Sequence, residues 1–282
     1  MPGRVQHEVE GSIGWIVFDH PERRNALSAN MWRELALAAQ ALAADESVRV
    51  VVMRGAGDEA FISGADISQF QISGDATTGG AAEGGETPAR TDGAASEQPA
   101  GAERADDGIN AFHALTSLDR PLIAMIHGYC YGGGVAISLT ADMRYAADDG
   151  RFAIPAARLG VGYDMSGVEA LAELVGISAA KEILFTARSY DAQEALRMGL
   201  VNRVVAKAEL ESFVRDVAQR IAGNAPLTVR SVKLIAGELQ KDRSKRDSRR
   251  VSEAVRACFE SRDFEEGVSA FLEKRPPKFS GR

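Results

Sequence analysis

The sequence predicts an α/β fold, layered strands and helices giving way to an all-helical end. Three observations predict it. Short apolar runs bounded by charge or glycine alternate with helix-forming stretches as far as about Val205, the pattern of strands covered by helices. From about Ala206 onward the chain is mostly helical in pattern, with a long charged stretch at 241–250. Hydrophobic residues make up 45% of the 282, enough for a sizeable core in one large domain or two ordinary ones. We divide the chain into a core over 1–205 and a helical region over 206–282, the latter a candidate for contacts between copies of the chain.

The elements follow in order. Residues 6–10 and 13–19 are β-like and join at Gly11, a hairpin. Residues 29–44 are rich in Ala and Leu and predict a helix, with Ser28 or Asn30 as its cap. The apolar run 48–53 predicts a buried strand, and Phe61 and Ile62 end the next one. Residues 74–107 consist largely of Gly, Ala, Thr, Ser, Glu and Pro and carry eight acids against two arginines, most of the net charge of −7. Such a stretch buries too little apolar surface to offset chain entropy, so disorder is expected there. Order is expected to resume with a helix at 108–117 and a buried strand at 121–126. A helix after Gly134 and short strands at 143–146 and 152–154 follow.

Two segments stand out, FISGADI (61–67) and HGYCYGGGVAI (127–137). Each reads as a buried strand that breaks into small residues. Small residues leave backbone N–H groups uncovered. Two such groups aimed at one point would hold a thioester carbonyl oxygen as it becomes an enolate or oxyanion.

Composition excludes other classes. Outside 74–107 the chain is near neutral, which argues against a nucleic-acid surface. Cys130 and Cys258 form no metal spacing and no disulfide framework, so a reduced compartment fits and no metal is expected. The start, MPGRVQHEVEG, lacks an apolar signal core, and no apolar run reaches the ~18 residues of a membrane helix. The expectation is a cytoplasmic protein with no membrane partner.

The chain resembles the crotonase superfamily, the enoyl-CoA hydratase/isomerase family. The resemblance rests on HPERRNALS (20–28), FISGADI, HGYCYGGG (127–134), ADMRYA (141–146), AQEALRMGLVNRVV (192–205) and FLEKRPPKF (271–279), six motifs in the family's order. It implies a spiral core of repeated ββα units plus C-terminal helices, assembled as a homotrimer or a dimer of trimers. It also implies an acyl-CoA thioester substrate, with coenzyme A part of that substrate and no separate cofactor. By the same resemblance the oxyanion N–H groups belong to Ala65 and Gly133, the latter near a helix start whose dipole would add to the polarisation. Loss of one such donor costs roughly 2.7–4 kcal/mol in comparable sites. Arg24, Ala26 and Leu27 match the segment that contacts CoA. Ser63, Gly64, Asp66 and Ile67 surround the first N–H, in the segment whose backbone holds the adenine. Phe271 and Lys274 match a pair that reaches a neighbouring subunit's CoA.

The chain also departs from the family. The hydratases carry two glutamates for the water and the Cα proton; Ala136 and Ala156 stand at those positions. Alanine transfers no proton, so the two-glutamate mechanism is absent. Tyr163 and Asp164 are the polar residues farther along. Asp164 falls where dienoyl-CoA isomerases and chlorobenzoyl-CoA dehalogenases carry a catalytic aspartate. Tyr163 falls where methylmalonyl-CoA decarboxylase has a tyrosine that engages the substrate carboxylate, and the C-terminal run 261–282 is similar to that enzyme as well. A decarboxylase needs no base, because CO₂ leaves its electrons behind. An isomerase or a one-carboxylate hydratase wants an acid/base near Cα, and in a dry pocket the pKa of Asp164 is expected to rise. The other reading of Asp164 is a cap for a helix at 166–175. A non-catalytic acyl-CoA binder is the alternative to an enzyme. His113, His127 and Cys130 read as structural residues, and Tyr129 and Tyr131 as pocket lining or core.

Overall fold

The computed structural model describes residues 2–65 and 100–282. β1 (Arg4–Glu10) and β2 (Ile13–Asp19) form the expected antiparallel hairpin, turning at Gly11. α1 (Ala29–Ala44) follows, capped by Ser28, whose side chain accepts from the Met31 N–H. β3 (Val50–Gly55) and β4 (Ala60–Ile62) come next.

α2 spans Ala100–Thr116. It therefore begins eight residues before the expected start at 108, and residues 100–107 are helical where disorder was expected. Low apolar content favours disorder in isolation, but here the stretch extends a helix already anchored by buried Ala111 and Leu115. Arg33 of α1 reaches Asp107 at 3.0 Å. The rest of the expected disordered stretch, 74–99, lies outside the described residues.

β5 (Leu122–Ile126), β6 (Tyr129–Tyr131), α3 (Gly133–Leu139), β7 (Met143–Ala147) and β8 (Arg151–Ala153) complete the pattern. The first strand of each pair joins a large sheet of order β1-β2-β3-β5-β7, closed by β10 (Arg203–Val205). The second joins a small sheet of order β4-β6-β8, closed by β9 (Tyr190–Asp191). β3β4α2 and β5β6α3 are thus successive ββα units, as the resemblance implies. After β8 come α4 (Ala156–Leu159), α5 (Met165–Thr186), broken by Gly176 at φ 78°, and α6 (Ala192–Met198).

Strand alternation decides what each face buries. On β3, Val51 and Met53 point into the main core with α1, α2 and the small sheet. Val50 and Val52 point the other way, against Leu210, Val214 and Ala218 of α7 (Leu210–Ala222). α7 therefore lies across the large sheet, although it falls after the boundary drawn at 205. α8 (Pro226–Leu239), α9 (Ser248–Phe259) and α10 (Arg262–Glu273) extend beyond it. Among the described residues, no helix is long and apolar enough to cross a membrane.

Candidate active site

The first small-residue loop leaves β4 as Ser63, Gly64 and Ala65. It is laced to the segment before α1. The Ser63 N–H donates to the Arg24 carbonyl (3.0 Å) and the Leu27 N–H to the Gly64 carbonyl (2.8 Å). Leu27 and Ala65 form a parallel bridge. Asn25 locks this lacing. It is fully buried with φ 56°, accepts from the His20 N–H at 2.8 Å, and donates to the carbonyls of Ala56 and Ala60 at 2.9 and 2.8 Å. Arg24, Ala26, Leu27, Ser63 and Gly64 are therefore brought together. Asp66 and Ile67 lie outside the described residues.

The second loop leaves β6 through Gly132. Its φ of 50° and ψ of −110° suit glycine alone. The Gly132 N–H donates to the Ala153 carbonyl at 2.8 Å, and its own carbonyl accepts from the Ala136 N–H at 3.1 Å. Gly133 is then the first residue of α3. The next glycine is sterically required, since a β-carbon on Gly134 would sit 2.4 Å from the Ile62 carbonyl oxygen. This close approach presses α3 onto β4 and sets the two loops side by side. A β-carbon built on Gly133 would lie 3.9 Å from the Ala65 nitrogen. Neither the Ala65 nor the Gly133 N–H has a hydrogen-bond acceptor among the described residues.

The two alanines at the glutamate positions flank this pair. Ala136 is one helical turn beyond Gly132. Ala156 follows Pro155, whose Cδ would lie 4.0 Å from a β-carbon on Gly132. Both alanines are half-buried.

Tyr163 is half-buried against the main core, and its phenol is raised above its ordinary pKa, by burial first and then by the charge of Asp164. It is protonated at neutral pH, and its hydroxyl has no partner among the described residues. Asp164 corrects an expectation. It is exposed, and it is the N-cap of α5. One carboxylate oxygen accepts from the Gly167 N–H (2.8 Å) and from the Ser166 hydroxyl (2.7 Å). These bonds hold its pKa below the usual range, opposite to the rise a dry pocket would cause.

Phe271 and Lys274 are not joined to the two loops by any hydrogen bond or ring contact among the described residues. Phe271 is exposed near the end of α10, and Lys274 is that helix's left-handed C-cap. His127 is buried, its Nε2 has no partner among the described residues, and burial lowers its pKa. Cys130 is fully buried and burial raises its thiol pKa, so it is no nucleophile. Tyr131 donates to or accepts from Ser189 at 2.9 Å. Among the described residues no group of His, Cys, Asp and Glu could hold a metal.

Sequence reasoning missed three residues that shape the site. Asn25 is one; its signal was an Asn between Arg24 and Ala26 in a segment that ends at a cap. Arg144 is another. It is buried, and donates to the carbonyls of Leu200 (2.9 Å), Ser138 (3.2 Å) and Ala141 (2.6 Å), so it holds the C-terminal end of α3. Burial lowers its pKa, with the nearby Asp142 acting against that. Trp32, beside Gly133, is the third; nothing in its helical spacing marks it out.

Comparison with known proteins agrees with this architecture. The family model described as enoyl-CoA hydratase/isomerase matches residues 8–87 and 89–282. The chain is 32% identical over 269 residues to a short-chain-enoyl-CoA hydratase of Clostridium acetobutylicum, covering 95% of this chain and 94% of the relative. It is 35% identical over 279 residues to a carnitinyl-CoA dehydratase of Proteus mirabilis, covering 96% of each. An enoyl-CoA hydratase/carnithine racemase structure from Magnetospirillum magneticum superposes with a TM-score of 0.85 at 33% identity, over 99% of this chain and 96% of that one. With two ββα units of the spiral in place and a family model spanning nearly its whole length, this chain belongs to the enoyl-CoA hydratase/isomerase family, within the crotonase superfamily.

Proposed function

We propose that the chain is an acyl-CoA lyase that holds the thioester oxygen between the backbone amides of Ala65 and Gly133. The observation that carries this is the adjacency of two N–H groups, from separate loops, that have no acceptor among the described residues. Negative charge that develops on the oxygen as the enolate forms would meet two donors already in position, with no reorganisation at that moment. The hydratase and dehydratase names of two relatives support the lyase class over the isomerase one in this proposal. Arg24, Ala26, Leu27, Ser63 and Gly64 line the CoA side of this reading, with Asp66 and Ile67 adjoining in sequence.

Tyr163, protonated at neutral pH, serves as a hydrogen-bond donor to the acyl group. Asp164 is exposed and ionised, so it serves as an acceptor and weak base, not as an acid. Decarboxylation is the second reading, favoured by the same tyrosine and by Ala136 and Ala156, since it needs no proton acceptor. A mass-spectrometric screen of acyl-CoA thioesters, including crotonyl-, dienoyl- and methylmalonyl-CoA, separates these. Turnover is expected to fall at least tenfold in Tyr163→Phe or Asp164→Asn; full activity in both variants would remove these residues from the chemistry. Binding of CoA esters with no turnover on the whole panel would make the chain a non-catalytic binder.

We further propose a homotrimer or a dimer of trimers, in which Phe271 and Lys274 meet a neighbour's CoA. Exposed Phe264, Val268, Phe271 and Leu272 on α10 support it. Light scattering on the purified chain tests it, and a monomer would refute it.

A further inference from the structure

Trp32 occupies an unusual place for a large side chain. Its ring carbon Cζ2 would lie 3.8 Å from a β-carbon on Gly133, next to the Ala65 nitrogen at 3.9 Å. The indole edge therefore stands on the same few ångströms of ground as the two amides. Its position is set by backbone structure. Leu27 is bridged to Ala65, Ser28 caps α1, and the Trp32 N–H closes the first turn on the Ser28 carbonyl. Phe112 of α2 packs against the indole, with ring centroids 5.6 Å apart and planes tilted by 41°. Both rings are half-buried and packed on the main core. A flat, propped wall so close to the amide pair limits what can be attached to a carbonyl carbon seated there.

Resting on the acyl-CoA reading above, we propose that Trp32, propped by Phe112, is the specificity-determining wall on the acyl side of the site and restricts it to short acyl groups. CoA itself runs along Arg24–Leu27 and Ser63–Gly64 and does not depend on the indole. A rigid aromatic edge excludes long saturated chains by overlap, while a short or flat group lies against its surface. One methylene in or out of an apolar pocket changes selectivity about 10–200-fold, so truncating an indole is a large perturbation.

The test is calorimetric binding of CoA, butyryl-CoA and decanoyl-CoA to the full-length chain, which needs no knowledge of the reaction. The wild type is expected to prefer butyryl- over decanoyl-CoA. Trp32→Ala is expected to move that preference at least tenfold toward decanoyl-CoA while the affinity for CoA changes less than twofold. Phe112→Ala, which removes only the prop, is expected to move it in the same direction by less. A fluorescence readout guards against misfolding. The chain has two tryptophans, and Trp15 is completely buried in the second core. Butyryl-CoA should thus alter the emission of the wild type and not that of Trp32→Phe. Equal changes for all three ligands in Trp32→Ala, or an undiminished emission change in Trp32→Phe, would overturn the wall. A wild type that binds neither CoA nor either ester would overturn the acyl-CoA reading itself, and the wall with it.

Discussion

Gly134→Ala separates architecture from catalysis by a distance. The new β-carbon would start 2.4 Å from the Ile62 carbonyl oxygen and 2.9 Å from the Ile62 Cβ. A carbon–oxygen contact needs about 3.3 Å, so α3 and β4 must part by roughly 1 Å. Neither can yield freely, because Ile62 and Val135 are both buried in the main core. Overpacking of this kind costs typically 1–3 kcal/mol, and the domain survives it. The two amides sit on the two elements being forced apart, and a 1 Å misplacement costs on the order of 10²-fold in rate. The expectation is a modest fall in denaturation midpoint with a roughly hundredfold fall in kcat, measured on the thioester found in the screen. Gly237→Ala is the control. It lies inside α8 with nothing within 4 Å of its new carbon, so it should stabilise by about 0.5–1 kcal/mol and leave kcat alone. Wild-type kcat in Gly134→Ala would refute the link between this packing and the amide pair.

Three other outcomes are expected. Asn25→Ala strands the His20 N–H and the carbonyls of Ala56 and Ala60 and places alanine at φ 56°. Urea denaturation should show a loss of about 3 kcal/mol or more, at 1–3 kcal/mol per unsatisfied group; a loss under 1 kcal/mol would mean that water replaces the amide. Arg144→Lys should destabilise nearly as much as Arg144→Ala, because one ammonium cannot reproduce a fork to three carbonyls; near wild-type stability of the lysine variant contradicts this. The third concerns pH. Arg275, and then the Lys278 N–H, hold Glu266 down at a pKa of about 2, below its ordinary 4.5. A depressed folded pKa gives stability that is complete above the unfolded value and lost as pH falls through the folded one. The stability difference between wild type and Glu266→Gln should therefore be flat above pH 4.5 and fade between 4.5 and 2. A difference that grows on acidification would reverse the sign and refute the pairing.

The strands and helices were legible where one force dominated. The hairpin at Gly11, the Ser28 cap and the buried run of β3 follow from turn chemistry, capping and hydrophobic periodicity, all local. α2 was misread at its start because composition is an average, whereas a helix is extended by neighbours already in register. For the site, the glycine-bearing loops were visible because absent side chains leave a mark in sequence. Asn25, Arg144 and Trp32 were not, since each acts across more than twenty residues or beside a residue remote in sequence. Asp164 was ambiguous for a different reason. A carboxylate two or three residues ahead of a serine and a glycine suits a cap and a base equally well, and only the observed bonds show that it caps.

A site built from main chain has a consequence for anyone probing it. Serial alanine replacement would skip Ala65 altogether, and at Gly133 it would add bulk without deleting the nitrogen proton. The groups that matter most in this reading are therefore silent in the commonest kind of mutagenesis. Swapping the peptide link between Gly64 and Ala65 for an ester, by chemical ligation, removes that single proton while every side chain stays as it was.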